Sequence, residues 1–180
     1  MKRIYYEIIS IVFVLMLINS TSYGGTVILQ DSFTSPLPNP EFGLDFDMTT
    51  NTLWGIENSS ATANIMNFDL NGTLISGFAT VSSWNNTGIA VNQKVGVDQR
   101  VFYWQNLGRN LRETLSDGTL ISTTVLPWGY QNAVQAIGYD PSLDQVIVPH
   151  TDVSSLSIES GFDFVIPNVG IDSFVSFNFR

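Results

Sequence analysis

The chain contains no cysteine and only one histidine. Disulfide bonds and cysteine nucleophiles are therefore excluded, and so is a zinc site built from several Cys and His ligands. Without disulfides the fold depends on its core, on bound metal or on partners. Apolar residues make up 44% of the chain and aromatic residues 12%, which is enough to form a core.

Charged residues are also scarce, at 13% of the chain against roughly 25% in typical globular proteins. Long solvent-facing helices rich in Glu and Lys are not expected, and the many turn residues and β-formers indicate an all-β protein. There are 7 basic and 16 acidic residues, which give a net charge of −9. This charge argues against nucleic acid or an anionic membrane surface as a partner.

The N-terminus has the pattern of an export signal. Lys2 and Arg3 are followed by an apolar run at 8–18 and by small and polar residues at 19–25. The run is about half of the roughly 20 residues that a bilayer span needs. We predict a signal peptide at 1–24 and a mature chain of 25–180 that is secreted or periplasmic. A membrane anchor is the alternative.

Two nearly identical hexapeptides, NGTLIS at 71–76 and DGTLIS at 117–122, indicate an internal repeat. Asn-Gly and Asp-Gly are strong signals for a two-residue hairpin turn of type I′, followed by the strand that leaves the turn. A more divergent third turn is expected at Ser160-Gly161. The turn glycines Gly72, Gly118 and Gly161 are 46 and 43 residues apart.

Around these turns the sequence predicts four-stranded units with period-2 alternation, as in GLDFDMTTNTLW followed by FDLNGTLI. Residues 101–103 take the place of 53–55 in the second copy. A four-stranded unit of this period is typical of β-propeller blades. We expect an all-β, β-propeller-like array of three to four antiparallel blades, at about 42–80, 87–124 and 134–166. A β-sandwich with evenly spaced hairpins is the alternative.

Over 42–165 these units resemble the blades of secreted NHL-like and SMP-30/gluconolactonase-like propellers. Closed propellers have at least about four blades, which is more than the mature chain has room for. Strand-like segments at 26–30 and 171–179 are expected to form an incomplete fourth blade. Otherwise the chain is part of a longer propeller, an open array, or a protomer that closes by self-association.

Nucleophilic catalysis finds little support in the sequence. His150 and Asp152 would share one face of a strand, but no G-x-S-x-G elbow supplies a serine. We therefore favour a non-enzymatic protein.

Calcium is the one metal worth considering, because oxygen ligands are plentiful. The candidate ligands are Asp45, Asp47, Glu57 and Asp69 in the first repeat unit. The resemblance to SMP-30-like lactonases implies a divalent cation held by Glu, Asn and Asp from several blades, but no such set can be placed here. The competing interpretation makes Asp45 and Asp47 the polar side of an alternating strand.

Aromatic residues in polar connectors suggest a ligand surface. Trp84, Trp128 and Tyr130 lie in Gly- and Asn-rich segments between repeat units, where they would stack on sugars or on peptide side chains. Packing between blades is the alternative role. The favoured function is an exported binding or scaffold protein without a cofactor, whose partner is a protein or a carbohydrate. The runner-up is a cation-dependent, SMP-30-like hydrolase or lactonase.

Calcium distinguishes these two functions. A cation that binds only the native state raises stability in proportion to ln(1 + [L]/Kd). For the favoured, non-enzymatic function we expect the thermal midpoint of purified 25–180 to be the same in calcium and in EDTA. A rise with calcium that is lost in Asp45→Asn or Asp47→Asn would instead support the hydrolase.

Overall fold

The computed structural model describes residues 41–57, 62–83, 86–105, 109–126, 136–154 and 157–176. All regular structure in these residues is β-strand, arranged in three four-stranded antiparallel sheets. The expected signal peptide and the segment at 26–30 lie outside the described residues. No helix in the described part of the chain has the length and hydrophobicity that a membrane span requires.

Each sheet is a meander in which strands that follow one another in sequence are paired. We call the sheets blades 1, 2 and 3. Blade 1 contains β1 (Glu41–Asp47), β2 (Thr52–Glu57), β3 (Thr62–Phe68) and β4 (Leu74–Ser83). Blade 2 contains β5 (Asn86–Val91), β6 (Arg100–Gln105), β7 (Asn110–Leu115) and β8 (Leu120–Val125). Blade 3 contains β9 (Gly138–Asp140), β10 (Gln145–Ser154), β11 (Ser157–Ile166) and β12 (Gly170–Ser176).

The strand registers confirm that the three blades are copies of one unit. Phe46 pairs with Leu53 in blade 1, Val91 with Val101 in blade 2, and Tyr139 with Val146 in blade 3. Successive blades stack through their first strands, since β1 contacts β5 and β5 contacts β9. Three stacked meanders confirm the propeller-like array, and they differ from the two facing sheets of a β-sandwich.

Blades 1 and 2 share one hydrophobic cluster. We call the side of a blade that faces its predecessor the front, and the opposite side the back. Side chains alternate between the two sides along each strand. The back of blade 1 contributes Trp54, Ile56, Ala63, Ile65 and the partly buried Phe78, and the front of blade 2 contributes Ile89, Val91, Val101 and Tyr103.

Blades 2 and 3 share a second cluster of the same design. The back of blade 2 contributes Ala90, Phe102, Trp104 and Leu111 together with Leu126, and the front of blade 3 contributes Val146, Val148, Val165, Ile137 and Tyr139. Strand β6 therefore packs on both sides, which explains its run of consecutive buried apolar residues at 101–104.

Two glycines at equivalent positions allow the first strands to approach closely. A Cβ atom on Gly43 would lie 2.9 Å from the carbonyl oxygen of Thr87, and a Cβ on Gly88 would lie 3.1 Å from the backbone nitrogen of Ile137. Because these neighbours are backbone atoms, a larger side chain would push the blades apart.

The hairpins at Gly72 and Gly118 are confirmed, but their turn type differs from the prediction. The amide of Gly72 donates to the carbonyl of Asp69, and that of Gly118 to the carbonyl of Leu115. Both glycines have positive φ, 83° and 89°, whereas Asn71 is not among the described residues with positive φ. The turns are therefore three-residue loops that end in a left-handed glycine, not two-residue type I′ turns.

The third hairpin is not where the sequence predicted it. Gly161 lies inside β11 and pairs with His150, and the turn falls at 167–169 after Ile166. Residues 171–176 of the segment predicted as a flanking strand at 171–179 form most of the outermost strand of blade 3, since Val175 pairs with Phe162, and 177–179 lie outside the described residues. It does not start a fourth blade. The error arose because β10 and β11 have ten residues each, which is longer than their counterparts in blade 2.

Gly118 supports a prediction about the packing of blades 1 and 2. Its φ is positive, and a Cβ atom there would lie 2.7 Å from ring carbons of Phe78 in blade 1. Gly96 has a similar φ of 81° but no atom within 4 Å of its Cβ position. We expect Gly96→Val to lower the free energy of unfolding only by the cost of placing a side chain in left-handed backbone. This cost is about 1–2 kcal/mol, or somewhat more for a β-branched residue.

Gly118→Val should lower the free energy of unfolding by about 1–3 kcal/mol more than Gly96→Val does, because the Phe78 ring must move to make room for the new side chain. Urea unfolding of both variants measures this difference. Equal losses in the two variants would mean that the turn of blade 2 does not pack against blade 1.

Candidate functional site

Polar contacts link the blades at the end where the β1–β2, β5–β6 and β9–β10 turns lie, which we call the turn end. The Gln93 side chain donates to the carbonyl of Phe46 at 3.1 Å, and the Lys94 ammonium lies 3.0 Å from a carboxylate oxygen of Asp144. The β5–β6 turn of blade 2 therefore contacts the first hairpins of both neighbours.

Asp45, one of the predicted calcium ligands, joins blade 1 to blade 2. Its carboxylate accepts hydrogen bonds from the amide of Val91 at 2.8 Å and from the amide of Phe46 at 2.9 Å. Burial raises the pKa of Asp45, and the two amide donors only partly offset this effect.

Asp47, the second predicted ligand, is fully buried beneath the β1–β2 turn. Its carboxylate accepts from the amide and hydroxyl of Thr49, from the hydroxyl of Thr50 and from the side-chain amide of Gln99 in blade 2. Burial opposes ionisation, but the hydrogen bonds from Thr49 and Thr50 outweigh it and hold the pKa of Asp47 below its usual value. The same contacts fix the shape of the turn.

The other two predicted ligands lie elsewhere in blade 1. Asp69 begins the β3–β4 turn and accepts from the amides of Asn71 and Thr73 at 2.9 and 2.8 Å. Glu57 is buried at the far end of β2, and its Oε2 has no hydrogen-bond partner. Within the described residues no three Asp, Glu, His or Cys side chains are grouped as a metal site. The calcium site stays a prediction.

Aspartates also close the corresponding turns of the other blades. Asp117 accepts from the amide of Thr119, and Asp140 accepts from the amide and hydroxyl of Ser142. Backbone hydrogen bonds from Thr73 and Thr119 hold the pKa values of Asp69 and Asp117 below their usual range, and the hydroxyl and amide of Ser142 do the same for Asp140. These carboxylates stabilise turns.

The predicted aromatic residues Trp84, Trp128 and Tyr130 lie outside the described residues. The other two tryptophans, Trp54 and Trp104, are fully buried between the blades. The sugar or peptide site at Trp84, Trp128 and Tyr130 therefore stays a prediction.

A groove that the sequence did not reveal lies between blades 2 and 3 at the turn end. It has a volume of about 220 Å³ and is lined by Arg100, Glu113, Ile121, Asp144, Ile166, Pro167 and Asn168. We call it the turn-end groove. Its lining comes from both sheets, so its shape depends on how these two blades stack.

A buried ion pair forms one wall of the turn-end groove. The Arg100 guanidinium donates to Glu113 Oε1 at 2.8 Å, and the Ser122 hydroxyl donates to Glu113 Oε2 at 2.7 Å. The Glu113 side chain is only 4% exposed, whereas that of Arg100 is 42% exposed. Arginine has five donors, so Arg100 can hold Glu113 and also donate to a ligand in the groove.

Asp144 forms part of the opposite wall and is itself held in place. It accepts from the Tyr139 hydroxyl and pairs with Lys94. These two contacts, that from Tyr139 being the larger, keep the pKa of Asp144 below its usual value. Burial, together with the Asp144 carboxylate, raises the pKa of Tyr139. The groove therefore presents a half-exposed cation beside fixed carboxylates and apolar side chains.

No protein-family model matches the chain, and no curated protein matches it. Solved structures do match. The crystal structure of a nidogen/laminin complex has a TM-score of 0.48 at 19% identity, covering 73% of this chain and 50% of that one. A protein of unknown function from Bacteroides caccae has a TM-score of 0.47 at 13% identity, covering 77% and 46%.

The Pan2 WD40 domain of Neurospora crassa has a TM-score of 0.41 at 10% identity, covering 76% of this chain and 50% of that one. The chain thus spans about half the length of each of these structures. The β-propeller-like fold is assigned here from the three stacked blades themselves.

The Arg100–Glu113 pair gives a prediction for the stability of the groove. Arg100→Met keeps the aliphatic stem but leaves a buried carboxylate with the Ser122 hydroxyl as its remaining partner. A buried group left without its partner costs about 1–3 kcal/mol, and a charged group costs more. We expect the free energy of unfolding to fall by about 1–3 kcal/mol, since the exposure of Arg100 weakens the pair.

Adding Glu113→Gln to Arg100→Met removes the unpaired charge, so the double variant should recover part of this loss. Denaturant unfolding of the two single variants and the double variant measures the coupling. Strictly additive losses would show that the two side chains do not interact.

Proposed function

We propose that the protein is an exported, non-enzymatic binding module that recognises another protein through the turn-end groove. The single observation that carries this proposal is the half-exposed Arg100, fixed by the buried Glu113 among apolar side chains. Arginine surrounded by apolar contacts is characteristic of residues that dominate binding energy at protein interfaces.

The size of the groove favours a protein partner over a small substrate. Ligand pockets usually measure about 300–1,000 Å³, and the groove is smaller. It suits a single side chain of an extended peptide. An acidic side chain flanked by apolar residues would meet the guanidinium of Arg100 and the apolar wall formed by Ile121, Ile166 and Pro167. The lining residues include no aromatic ring on which a sugar could stack, so a carbohydrate is the weaker candidate.

The placement of the carboxylates supports a non-enzymatic role. Asp45 joins two blades, and Asp47, Asp69, Asp117 and Asp140 each accept hydrogen bonds that shape a turn. Carboxylates committed to such contacts already have structural roles. The cation-dependent hydrolase is the competing function, and the calcium experiment distinguishes it.

The export part of the proposal is supported by the basic, apolar and small-residue segments of 1–24. Removal of 1–24 leaves a chain with a net charge of −10, since Lys2, Arg3 and Glu7 are lost. The intact mass of the product recovered outside the cytoplasmic membrane shows whether cleavage occurs near 22–24.

A phage-displayed library of random peptides, panned on purified 25–180, tests the binding proposal. We expect enriched peptides that carry Asp or Glu next to apolar residues. Ile121→Glu should weaken their binding at least about tenfold, or roughly 1.4 kcal/mol, because it places a competing carboxylate beside Arg100. Ile75→Glu is the matched control, since Ile75 occupies the equivalent position in blade 1 and does not line the groove.

Surface plasmon resonance with the enriched peptides compares the two variants, which are similarly exposed at the altered position, 44% for Ile121 and 54% for Ile75. Equal binding by both variants would overturn the assignment of the groove. A glycan array probed in parallel tests the carbohydrate alternative, and binding of glycans without any peptide would also contradict the proposal.

A further inference from the structure

The two outermost faces of the three-blade array are apolar and partly exposed. On the front of blade 1 lie Leu44, Phe46, Leu53 and Met66, and Leu44 is 56% exposed. On the back of blade 3 lie Ile147, Pro149, Phe162, Phe164 and Val175, and Phe162 is 37% exposed. Exposed apolar sheet faces of this kind mark interaction sites.

Each exposed residue on these faces has a buried counterpart inside the array. Leu44, Phe46 and Leu53 occupy the positions that Ile89, Val91 and Val101 occupy on the front of blade 2. Those three residues are buried against the back of blade 1. The front of blade 1 therefore has the chemistry of a surface that is built to receive the back of another blade.

The back of blade 3 corresponds in the same way to the back of blade 2. Ile147 and Pro149 occupy the positions of Phe102 and Trp104, which are buried against blade 3. A groove of about 260 Å³ on this face is lined only by apolar residues and glycine, namely Ala136, Ile137, Gly138, Ile147, Pro149 and Phe162. This face has the chemistry of a surface that is built to cover the front of a following blade.

We propose that two copies of the chain associate front to back and close a six-bladed ring. The back of blade 3 in each copy would pack on the front of blade 1 in the other, so that Leu44 of one copy faces Ile147 and Pro149 of its partner. This association goes beyond the proposed binding function and does not depend on it, because the turn-end groove lies within one copy.

Ring geometry supports a second copy as the occupant. Propellers close with about four to eight blades, so the three described blades are too few and six fall within the range. A front-to-back contact closes into a ring when the rotation between copies completes a full turn, and two copies related by a two-fold axis satisfy this condition. Both faces of both copies would then be buried, with no exposed blade face left.

Charge also permits the association, although the chain is acidic. Glu57 is a charged side chain on the front of blade 1, but it lies at the end of β2 far from the turn end. The described side chains at the centre of this face are uncharged, and so are those at the centre of the back face of blade 3. Asp140 and Asp172 lie at one rim of the back face, where the β1–β2 turn of blade 1 carries only Met48, Thr49, Thr50 and Asn51. Among the side chains that the structure describes on these two faces, no two like charges would be buried against each other.

One position requires a small adjustment at the new interface. Gly43 and Gly88 allow the next first strand to approach their backbone closely, and Ala136 stands at the equivalent position in blade 3. Alanine adds one methyl group there. The first strands would therefore lie slightly further apart between copies than within one copy.

The molar mass of purified 25–180, measured by light scattering coupled to size-exclusion chromatography, tests the proposal. We expect twice the mass of one chain, and a halved mass for Leu44→Glu, because a carboxylate would be buried in the interface. Val95→Glu is the matched control and should stay a dimer, since Val95 lies in the β5–β6 turn and is 89% exposed. A wild-type monomer at all concentrations would overturn the proposal.

Single cysteines test the orientation even if Leu44→Glu fails to fold, because the chain has no cysteine of its own. Leu44→Cys and Ile147→Cys proteins are mixed and treated with a short bismaleimide crosslinker. We expect crosslinked dimers in the mixture and few with either variant alone, because equal positions lie on opposite sides of the ring. Efficient crosslinking of Leu44→Cys alone, or no crosslinked dimers in the mixture, would refute front-to-back closure into a ring.

Discussion

Double-sided packing of strand β6 holds the three sheets together. Val101 and Tyr103 enter the cluster shared with blade 1, whereas Phe102 and Trp104 enter the cluster shared with blade 3. A sheet with one exposed face would show apolar residues at every second position, but here four consecutive residues are apolar. Full burial of a large apolar side chain such as Phe stabilises a protein by about 1.5–3 kcal/mol. The other features, including the groove between blades 2 and 3, follow from this stacking.

Much of the fold was predictable because the signals that define the repeat lie close together in the sequence. The hairpin glycines Gly72 and Gly118, and the correspondence of Leu53 with Val101, could be identified from residues close in sequence. The third blade was partly mispredicted because Gly161 resembles a turn glycine. Its position inside β11 depends on pairing with both His150 and Ser176. No local signal in the sequence predicts that β10 and β11 extend over ten residues each. The turn type also depended on the single residue that adopts positive φ.

The candidate site was much less predictable than the fold. Arg100 and Pro167 line one groove although 67 residues separate them in sequence, and only the stacking of two blades brings them together. The sequence suggested Asp45 and Asp47 as metal ligands because carboxylates on alternate residues lie on the same side of a strand. Their hydrogen bonds to Val91, Thr49 and Thr50 show a structural use that the sequence pattern alone does not distinguish from metal binding.

The aspartates that accept hydrogen bonds in the turns make the stability of the hairpins depend on pH. Asp47, Asp69, Asp117 and Asp140 have pKa values below that of an unfolded aspartate, so their ionised forms favour the folded state. Their contribution is fully present above about pH 4 and is lost as the pH falls through the folded-state values. Protonation of Asp45 has the opposite effect on stability, because the pKa of Asp45 is raised in the folded state and its protonated form therefore favours folding. Strong acid would thus destabilise turns in all three blades together. At the contact between Asp45 and blade 2, protonation would only remove a buried charge, which does not destabilise the fold.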